Sequence, residues 1–234
     1  RTAAHQLAHR DALLRADAAV GQGGAKGLRR EGCLGREQQL GCVDRAQLDG
    51  TAAWVTTPDT FADVDALVTD RHDIGLVALG ADCAVIGLHG HRSDGTPVLG
   101  VAHCGWKGLA KDVIGSVVAE MTSAGAEEIS AVLGPAICGE CYRVDTARHA
   151  AVRAAVSERV AHAALVSLSQ QPAHVQQASH EQKDEGFGID IRAGSRERLL
   201  ELGVAINGEE LLQGRECTYE SATWFSYRRS MANG

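Results

Sequence analysis

Short apolar runs separated by turn-forming residues dominate the central part of the chain. Such runs, bounded by Gly, Pro, Asp and Ser, are typical of buried strands. They predict strands at 52–56, 66–69, 74–79, 84–88, 98–102, 129–133 and 204–206. We expect a turn at 89–97, between two neighbouring runs of this set.

Other segments repeat apolar residues at helical spacing instead. They predict helices at 109–121, ending near Gly125, and at 146–165 and 190–202, because apolar positions three and four residues apart form one face of a helix. A further helix is predicted at 9–20, before a glycine-rich loop at 21–27, and an exposed loop at 167–185. The mixture predicts a single mixed α/β domain, to whose sheet residues 217–229 return.

Composition and charge narrow the function classes. The chain has 234 residues, is 44% hydrophobic and carries a formal charge of −7, so it can form a core but lacks the basic surface of a nucleic-acid binder. The sequence contains no apolar run long enough for a membrane span and no signal-peptide pattern. Its seven cysteines are an odd number without compact disulfide spacing. We therefore expect a soluble, cytoplasmic protein with reduced thiols and a small-molecule ligand, and neither a nucleic-acid nor a membrane partner.

Two residues with chemical potential flank the central turn. If the runs 84–88 and 98–102 form an antiparallel hairpin centred on Ser93, Cys83 faces His103, and paired Cα atoms in such a ladder lie about 4.5–5.5 Å apart. A thiol beside an imidazole is typical of a metal site or a Cys/His catalytic pair. The alternative is a buried small residue next to a strand-end histidine. His89 and His91 are predicted to be solvated residues of the turn.

The segment Gly105–Leu109, GWKGL, lies between a predicted strand and a predicted helix. Backbone N–H groups at a helix start, with Lys107 beside them, favour phosphate binding. A tight strand-to-helix turn in which Trp106 covers the core is the alternative. Cys138 and Cys141 form a CxxC pair, which without a second pair is weak evidence for a metal or redox site.

Several motifs together resemble a known family. In chain order they are DALVTD (65–70), ADC (81–83), HCGWKGL (103–109), LGPAICGECYRV (133–144), DIR (190–192), CT (217–218) and FSYRR (225–229). Their order and spacing are similar to those of the bacterial laccase-domain proteins, which are also called multicopper polyphenol oxidases, purine nucleoside phosphorylases or peptidoglycan editing factors. The resemblance covers about residues 47–229.

The resemblance implies a compact α/β domain at 47–234, with layered mixed sheets flanked by helices, after a poorly matched segment at 1–46. It also implies a metal centre, usually zinc with copper as the alternative, held by His, Cys and His. The last two ligands map to Cys83 and His103. The first belongs to a QVHG motif whose register here reads QLDG (47–50), so Asp49 is the expected third ligand, since carboxylate oxygen also binds zinc.

The function implied is phosphorolysis of adenosine, inosine, guanosine or methylthioadenosine, together with deamination of adenosine. In this interpretation Cys83 and His103 serve catalysis through the metal, while Gly105 and Lys107 contact the nucleoside or phosphate. The alternatives are a weakened or inactive homologue that acts as a peptidoglycan editing factor, and a copper-dependent polyphenol oxidase.

Overall fold

The computed structural model describes residues 40–44, 50–56, 60–62, 64–168, 186–208 and 217–232. The strands of these ranges are β1 (Leu40–Asp44), β2 (Ala52–Trp54), β3 (Thr60–Ala62), β4 (Ala66–Thr69), β5 (Gly75–Val77), β6 (Ala84–His91), β7 (Pro97–Cys104), β8 (Glu127–Leu133), β9 (Arg143–Val144), β10 (Leu165–Ser167), β11 (Phe187–Ile189) and β12 (Ala205–Ile206). The helices are α1 (Trp106–Ala110), α2 (Val113–Ser123), α3 (Thr146–Ala155), α4 (Glu158–Ala164), α5 (Ile191–Glu201) and α6 (Tyr227–Ala232).

A six-stranded mixed sheet is the centre of the fold. Its order is β12-β8-β6-β7-β4-β2. The inner pairs β8/β6, β6/β7 and β7/β4 are antiparallel, and the outer pairs β12/β8 and β4/β2 are parallel. A parallel sheet β3-β1-β5 and an antiparallel sheet β10-β11-β9 complete the architecture. The predicted α/β class with mixed sheets and helices is confirmed.

Both faces of the central sheet are buried at β4 and along the second half of β7. On one face, Ile86 and Val98 join a core that includes Val117 and Met121 of α2. A Cβ atom on Gly100 would lie 2.8 Å from the sulfur of Met121, so a glycine is required where the helix crosses the strand. Val55, Leu67, Ile74, Ala78 and Val101 form a second cluster. Burial on two sides explains why β4 is continuously apolar rather than alternating.

Two predicted helices are interrupted. The one predicted at 109–121 consists of α1 and α2, because Asp112 takes a left-handed conformation with φ 56° and caps α2 by accepting from the backbone N–H of Gly115. The one predicted at 146–165 consists of α3 and α4, because the Ser157 side chain accepts from the backbone N–H of Val160 and starts a new helix. Both residues are of the type that favours an N-cap.

The central hairpin is longer than predicted and its register is different. Its turn closes through a hydrogen bond from Arg92 N to Thr96 O, 2.8 Å long, so His89 and His91 belong to β6 and the prediction that they lie in the turn is wrong. The residue numbers of each facing pair add up to 188 rather than to the predicted 186, so Val85 faces His103. The predicted pairing of Cys83 with His103 is therefore wrong, because the residue that faces His103 is two positions after Cys83.

The C-terminal segment does not return to the central sheet. Cys217 makes one isolated parallel bridge with Ala136, and α6 follows, so the predicted return is wrong. The predicted helix at 9–20, the loop at 21–27 and nearly all of the loop at 167–185 lie outside the described residues, as does the predicted boundary between residues 46 and 47. Within the described ranges, no helix combines the length and apolar composition that a membrane crossing requires.

Candidate metal centre

Cys83 and His103 meet in space although they are not paired in the ladder. A Cβ atom built on Gly105 would lie 2.9 Å from Cys83 Sγ and 3.8 Å from His103 Cε1. The thiol and the imidazole therefore converge on the face of Gly105, which has no side chain to separate them. The structure thus brings together three of the predicted site residues.

A buried carboxylate holds His103 from the neighbouring strand. The backbone N–H of His103 donates to Asp65 O at 2.8 Å, and Asp65 Oδ1 lies 3.8 Å from His103 Nδ1, with exposed side-chain fractions of 1% and 5%. That separation is longer than a hydrogen bond, so the attraction is between charges. The other oxygen, Asp65 Oδ2, accepts from Gly50 N at 2.9 Å. Asp65, which the sequence analysis did not single out as a site residue, therefore connects the segment that begins at Gly50 to the site.

The protonation of His103 reflects these neighbours. Burial alone lowers the pKa of the imidazole, but Asp65 and Cys83 outweigh burial and raise the pKa of His103 to about 9. Negative groups that stabilise an imidazolium also attract a metal cation, which competes with the proton for the same nitrogen. The electrostatics therefore favour a cation at this site.

Asp82 fixes the position of Cys83. It has a left-handed backbone with φ 86°, and its buried carboxylate accepts from Thr218 Oγ1 at 2.6 Å and from Arg228 N at 2.8 Å. Its carbonyl accepts from Ile137 N at 2.9 Å. Three hydrogen bonds, two from the C-terminal segment and one from the loop after β8, therefore hold the residue that precedes the thiol.

Aromatic and cationic side chains lie next to Cys83 and His103. Burial and the charge of Cys83 raise the pKa of Tyr142 to about 12, and the Arg228 guanidinium lies 4.9 Å from the centre of the Tyr142 ring. Lys107 is exposed, and its Nζ lies 5.8 Å from the Trp106 ring centre, which Arg148 also approaches at 5.9 Å. The structure therefore offers cations beside the predicted Gly105–Lys107 contact region.

The donor chemistry fits a metal ion such as zinc. Zinc accepts thiolate sulfur and imidazole nitrogen, and the buried His103 Nδ1 has no hydrogen-bond partner in the part of the chain that the structure describes. Asp49, the predicted third ligand, lies outside the described residues, and Gly50 is the first described residue after it.

The CxxC pair belongs to a second cluster. Potential ligand atoms of Cys138, Cys141, Cys217 and Glu220 lie within 4.8 Å of one another. In the sequence, Cys138 and Cys141 stand as an isolated pair. The missed signal was the spacing from Cys217 to Glu220, a C-x-x-E that repeats the C-x-x-C spacing.

Comparisons with known proteins agree with the sequence motifs. A purine nucleoside phosphorylase of Streptomyces coelicolor is 35% identical over 179 residues, which cover 73% of this chain and 61% of the relative. One of Streptomyces griseus is 32% identical over 173 residues, covering 73% and 60%, and one of Corynebacterium glutamicum is 28% identical over 194 residues, covering 82% and 65%. The chain thus spans about three-fifths of the length of these relatives.

Solved structures share the fold. The hypothetical protein YfiH of Bacillus licheniformis matches with a TM-score of 0.63 and 21% identity over 83% of this chain and 70% of that one. YlmD of Geobacillus stearothermophilus matches with a TM-score of 0.61 and 22% identity, with the same coverage. The model of the family described as multi-copper polyphenol oxidoreductase laccase matches residues 30–234. The resemblance expected from the motifs is therefore confirmed, and this chain belongs to the multi-copper polyphenol oxidoreductase laccase family.

Proposed function

We propose that the protein is a metal-dependent purine nucleoside phosphorylase that also deaminates adenosine. The observation that carries the proposal is the convergence of the Cys83 thiol and the buried His103 imidazole beside Gly105. The names of the relatives support the phosphorylase activity. The proposed substrates are phosphate with adenosine, inosine, guanosine or methylthioadenosine.

Cys83 and His103 are the proposed ligands of a zinc ion, with Asp49 as the third. A zinc ion held there would supply Lewis acidity, which is the chemistry that hydrolytic deamination at the purine C6 requires. Asp65 Oδ1 lies 3.8 Å from His103 Nδ1, and its negative charge would add to the attraction of this site for a cation.

Phosphate binding is assigned to the region around Lys107. Phosphorolysis forms a bond between a phosphate oxygen and the sugar C1′ and breaks the bond from C1′ to the purine nitrogen, so an anion must be held beside the sugar. Lys107 is exposed on the first turn of α1, and Arg148 approaches the same Trp106 ring. Gly105 is buried beside Cys83 Sγ, so its proposed contact with the substrate is made by the backbone. The two cations offset the negative charge of the phosphate.

The test measures turnover and metal together. Purified protein is incubated with phosphate and inosine or adenosine, and released base and inosine are quantified by chromatography. We expect Cys83→Ala and His103→Ala to lose turnover and the zinc ion of this centre, and Lys107→Met to raise the KM for phosphate more than that for nucleoside. Cys104→Ala is the matched control, since Cys104 is a buried cysteine of the same hairpin.

The Asp49 assignment has its own outcome. Asp49→Ala lowers zinc content if the carboxylate is a ligand, and Asp49→His restores or raises it, because imidazole is a good zinc donor. Unchanged zinc content in both variants contradicts the assignment. Zinc-free wild-type protein with no turnover contradicts the enzymatic proposal as a whole and favours a binding role.

Copper-dependent phenol oxidation is the second candidate, because the family description names it. A blue-copper site takes two histidines and one cysteine. Among the described residues, the converging ligands are one histidine and one cysteine, which places this candidate behind zinc chemistry. Phenol oxidation by copper-loaded protein, abolished by Cys83→Ala, would reverse that order.

A further inference from the structure

The second cluster lies where the C-terminal segment meets the loop after β8. Cys138, Cys141 and Cys217 form no disulfide bond, and their sulfur atoms lie with a Glu220 oxygen within 4.8 Å of one another. We propose that these four side chains bind a structural zinc ion, separate from the Cys83 and His103 centre. The proposal does not depend on the proposed nucleoside chemistry.

The distances suit tetrahedral coordination. With Zn–S bonds of about 2.3 Å, sulfur ligands of a tetrahedral zinc lie about 3.8 Å apart, so donors already within 4.8 Å need only small side-chain rotations. Cys141 and Cys217 are buried, Cys138 is half-buried and Glu220 is exposed. The sulfur side of the site is thus shielded, and the carboxylate closes it from the surface.

The backbone arranges the CxxC pair as a ligand-bearing turn. The N–H groups of Cys141 and Tyr142 both donate to Cys138 O, at 3.2 and 2.8 Å. This turn places both sulfur atoms beside Cys217. The C-x-x-C at 138–141 and the C-x-x-E at 217–220 therefore each supply two ligands, and the fold brings the two pairs together.

Backbone and neighbouring groups stabilise negative sulfur at Cys217. The N–H of Cys138 donates to Cys217 Sγ at 3.3 Å, and Cys141 Sγ lies 3.6 Å from Glu220 Oε1. A thiolate is the form that binds zinc.

Two arginines supply compensating charge. Arg229 donates to the carbonyl oxygens of four residues of the loop that carries Glu220, which are Thr218, Tyr219, Ser221 and Trp224. Arg228 donates to Cys141 O at 3.3 Å and to Arg143 O at 3.1 Å. A zinc ion with three thiolates and a carboxylate keeps excess negative charge, which these guanidinium groups offset.

The ion would act as a clamp for the C-terminal segment. In the described residues, Cys217 joins the loop after β8 through one isolated bridge to Ala136. Thr218, the next residue, donates to Asp82, which precedes Cys83. Zinc at the cluster would therefore hold the segment that supports the Cys83 region.

Zinc content in a Cys83→Ala background tests the proposal. Protein purified under reducing conditions is analysed for zinc per chain by mass spectrometry, and cobalt-loaded protein is examined for thiolate-to-cobalt absorption. We expect Cys83→Ala to keep one zinc ion and a strong thiolate band, and the added Cys217→Ser to remove both. Equal zinc content with and without Cys217→Ser would overturn the proposal, as would a disulfide among the three cysteines in freshly reduced protein.

A second pair of variants avoids any folding defect of the cysteine change. Glu220 is exposed, so Glu220→Gln keeps the fold, and Glu140→Gln alters another exposed carboxylate, in the CxxC loop itself. We expect Glu220→Gln to lose zinc to a chelator at least about tenfold faster, because removing even an outer partner of a ligand costs that much, and Glu140→Gln to match the parent. Equal rates for the two variants overturn the four-ligand assignment. If the proposed centre at Cys83 is wrong, wild type and Cys83→Ala both hold one zinc ion, and the cluster proposal still stands.

Discussion

A single methyl group at Gly105 should disable the Cys83 and His103 centre. Gly105 has φ −96° and ψ −170°, which alanine adopts without strain, so Gly105→Ala acts through contact alone. The new Cβ would lie 2.9 Å from Cys83 Sγ. Ordinary contacts begin near 3.4 Å, so the sulfur must move by about 0.5 Å, beyond the roughly 0.2 Å tolerance of metal–ligand distances.

The expected result is a loss of metal with a moderate loss of stability. Overpacking of this kind costs about 1–3 kcal/mol, which lowers the urea midpoint and leaves a folded protein by circular dichroism. Zinc content per chain and nucleoside phosphorolysis should both fall in Gly105→Ala. The two losses should occur together, since one displaced sulfur causes both.

Two controls separate the clash from a general glycine effect. A Cβ on Gly87 meets nothing within 4 Å, so Gly87→Ala should keep zinc and activity. In a Cys83→Ala background the obstructing sulfur is absent, so adding Gly105→Ala should cost almost no further stability, a coupling that a double-mutant cycle measures. Full zinc content in Gly105→Ala, or an equal stability cost with and without Cys83, refutes the geometry.

Three further predictions concern the support of the fold. Asp82→Ala should lower the free energy of unfolding in urea by about 2–4 kcal/mol, because it leaves the buried Thr218 hydroxyl and the partly buried Arg228 N–H without their acceptor and places alanine in a left-handed conformation. Arg198→Met removes two hydrogen bonds to Asp112 that are partly exposed. The free energy of unfolding measured by thermal unfolding should therefore fall by at most about 1 kcal/mol, and by less in high salt. Burial raises the pKa of Asp190. Its carboxyl group therefore keeps a proton in the folded protein at a pH where the unfolded chain has released it, so the free energy of unfolding falls as the pH rises above the usual pKa of aspartate. Asp190→Asn keeps the cap on Ala193 and should flatten this slope in urea midpoints measured between about pH 4 and 6.

Local pattern was sufficient to predict most elements near the site but not their register. The apolar runs marked β4, β6 and β7, and helical spacing marked α2 and α5. A hairpin register, however, depends on which turn residues close the loop. Arg92 and Thr96 close it here, which moves the centre from Ser93 to Asp94.

The shifted register did not separate the predicted pair, for a reason that residue spacing alone does not show. Cys83 lies just before β6, and the missing side chain of Gly105 leaves space for its sulfur beside His103. Cys83 and His103 are thus close in space, as predicted, although the predicted pairing is wrong. The family motifs also contained Asp65 and Cys217, but the roles of these residues depend on contacts over long sequence distances, such as that of Thr218 with Asp82.

Asp82 gives a physical reason to expect the two proposed metal sites to affect each other. A non-glycine residue with φ 86° is retained only where its surroundings overdetermine it, and here one carboxylate accepts from both Thr218 and Arg228. Thr218 follows a proposed zinc ligand, Cys217, and Asp82 precedes another, Cys83. Movement of the ligands at one proposed site would therefore move those at the other, because Asp82 and its 2.6 Å hydrogen bond with Thr218 connect them. Loss of the structural ion should therefore weaken zinc binding at the Cys83 centre as well.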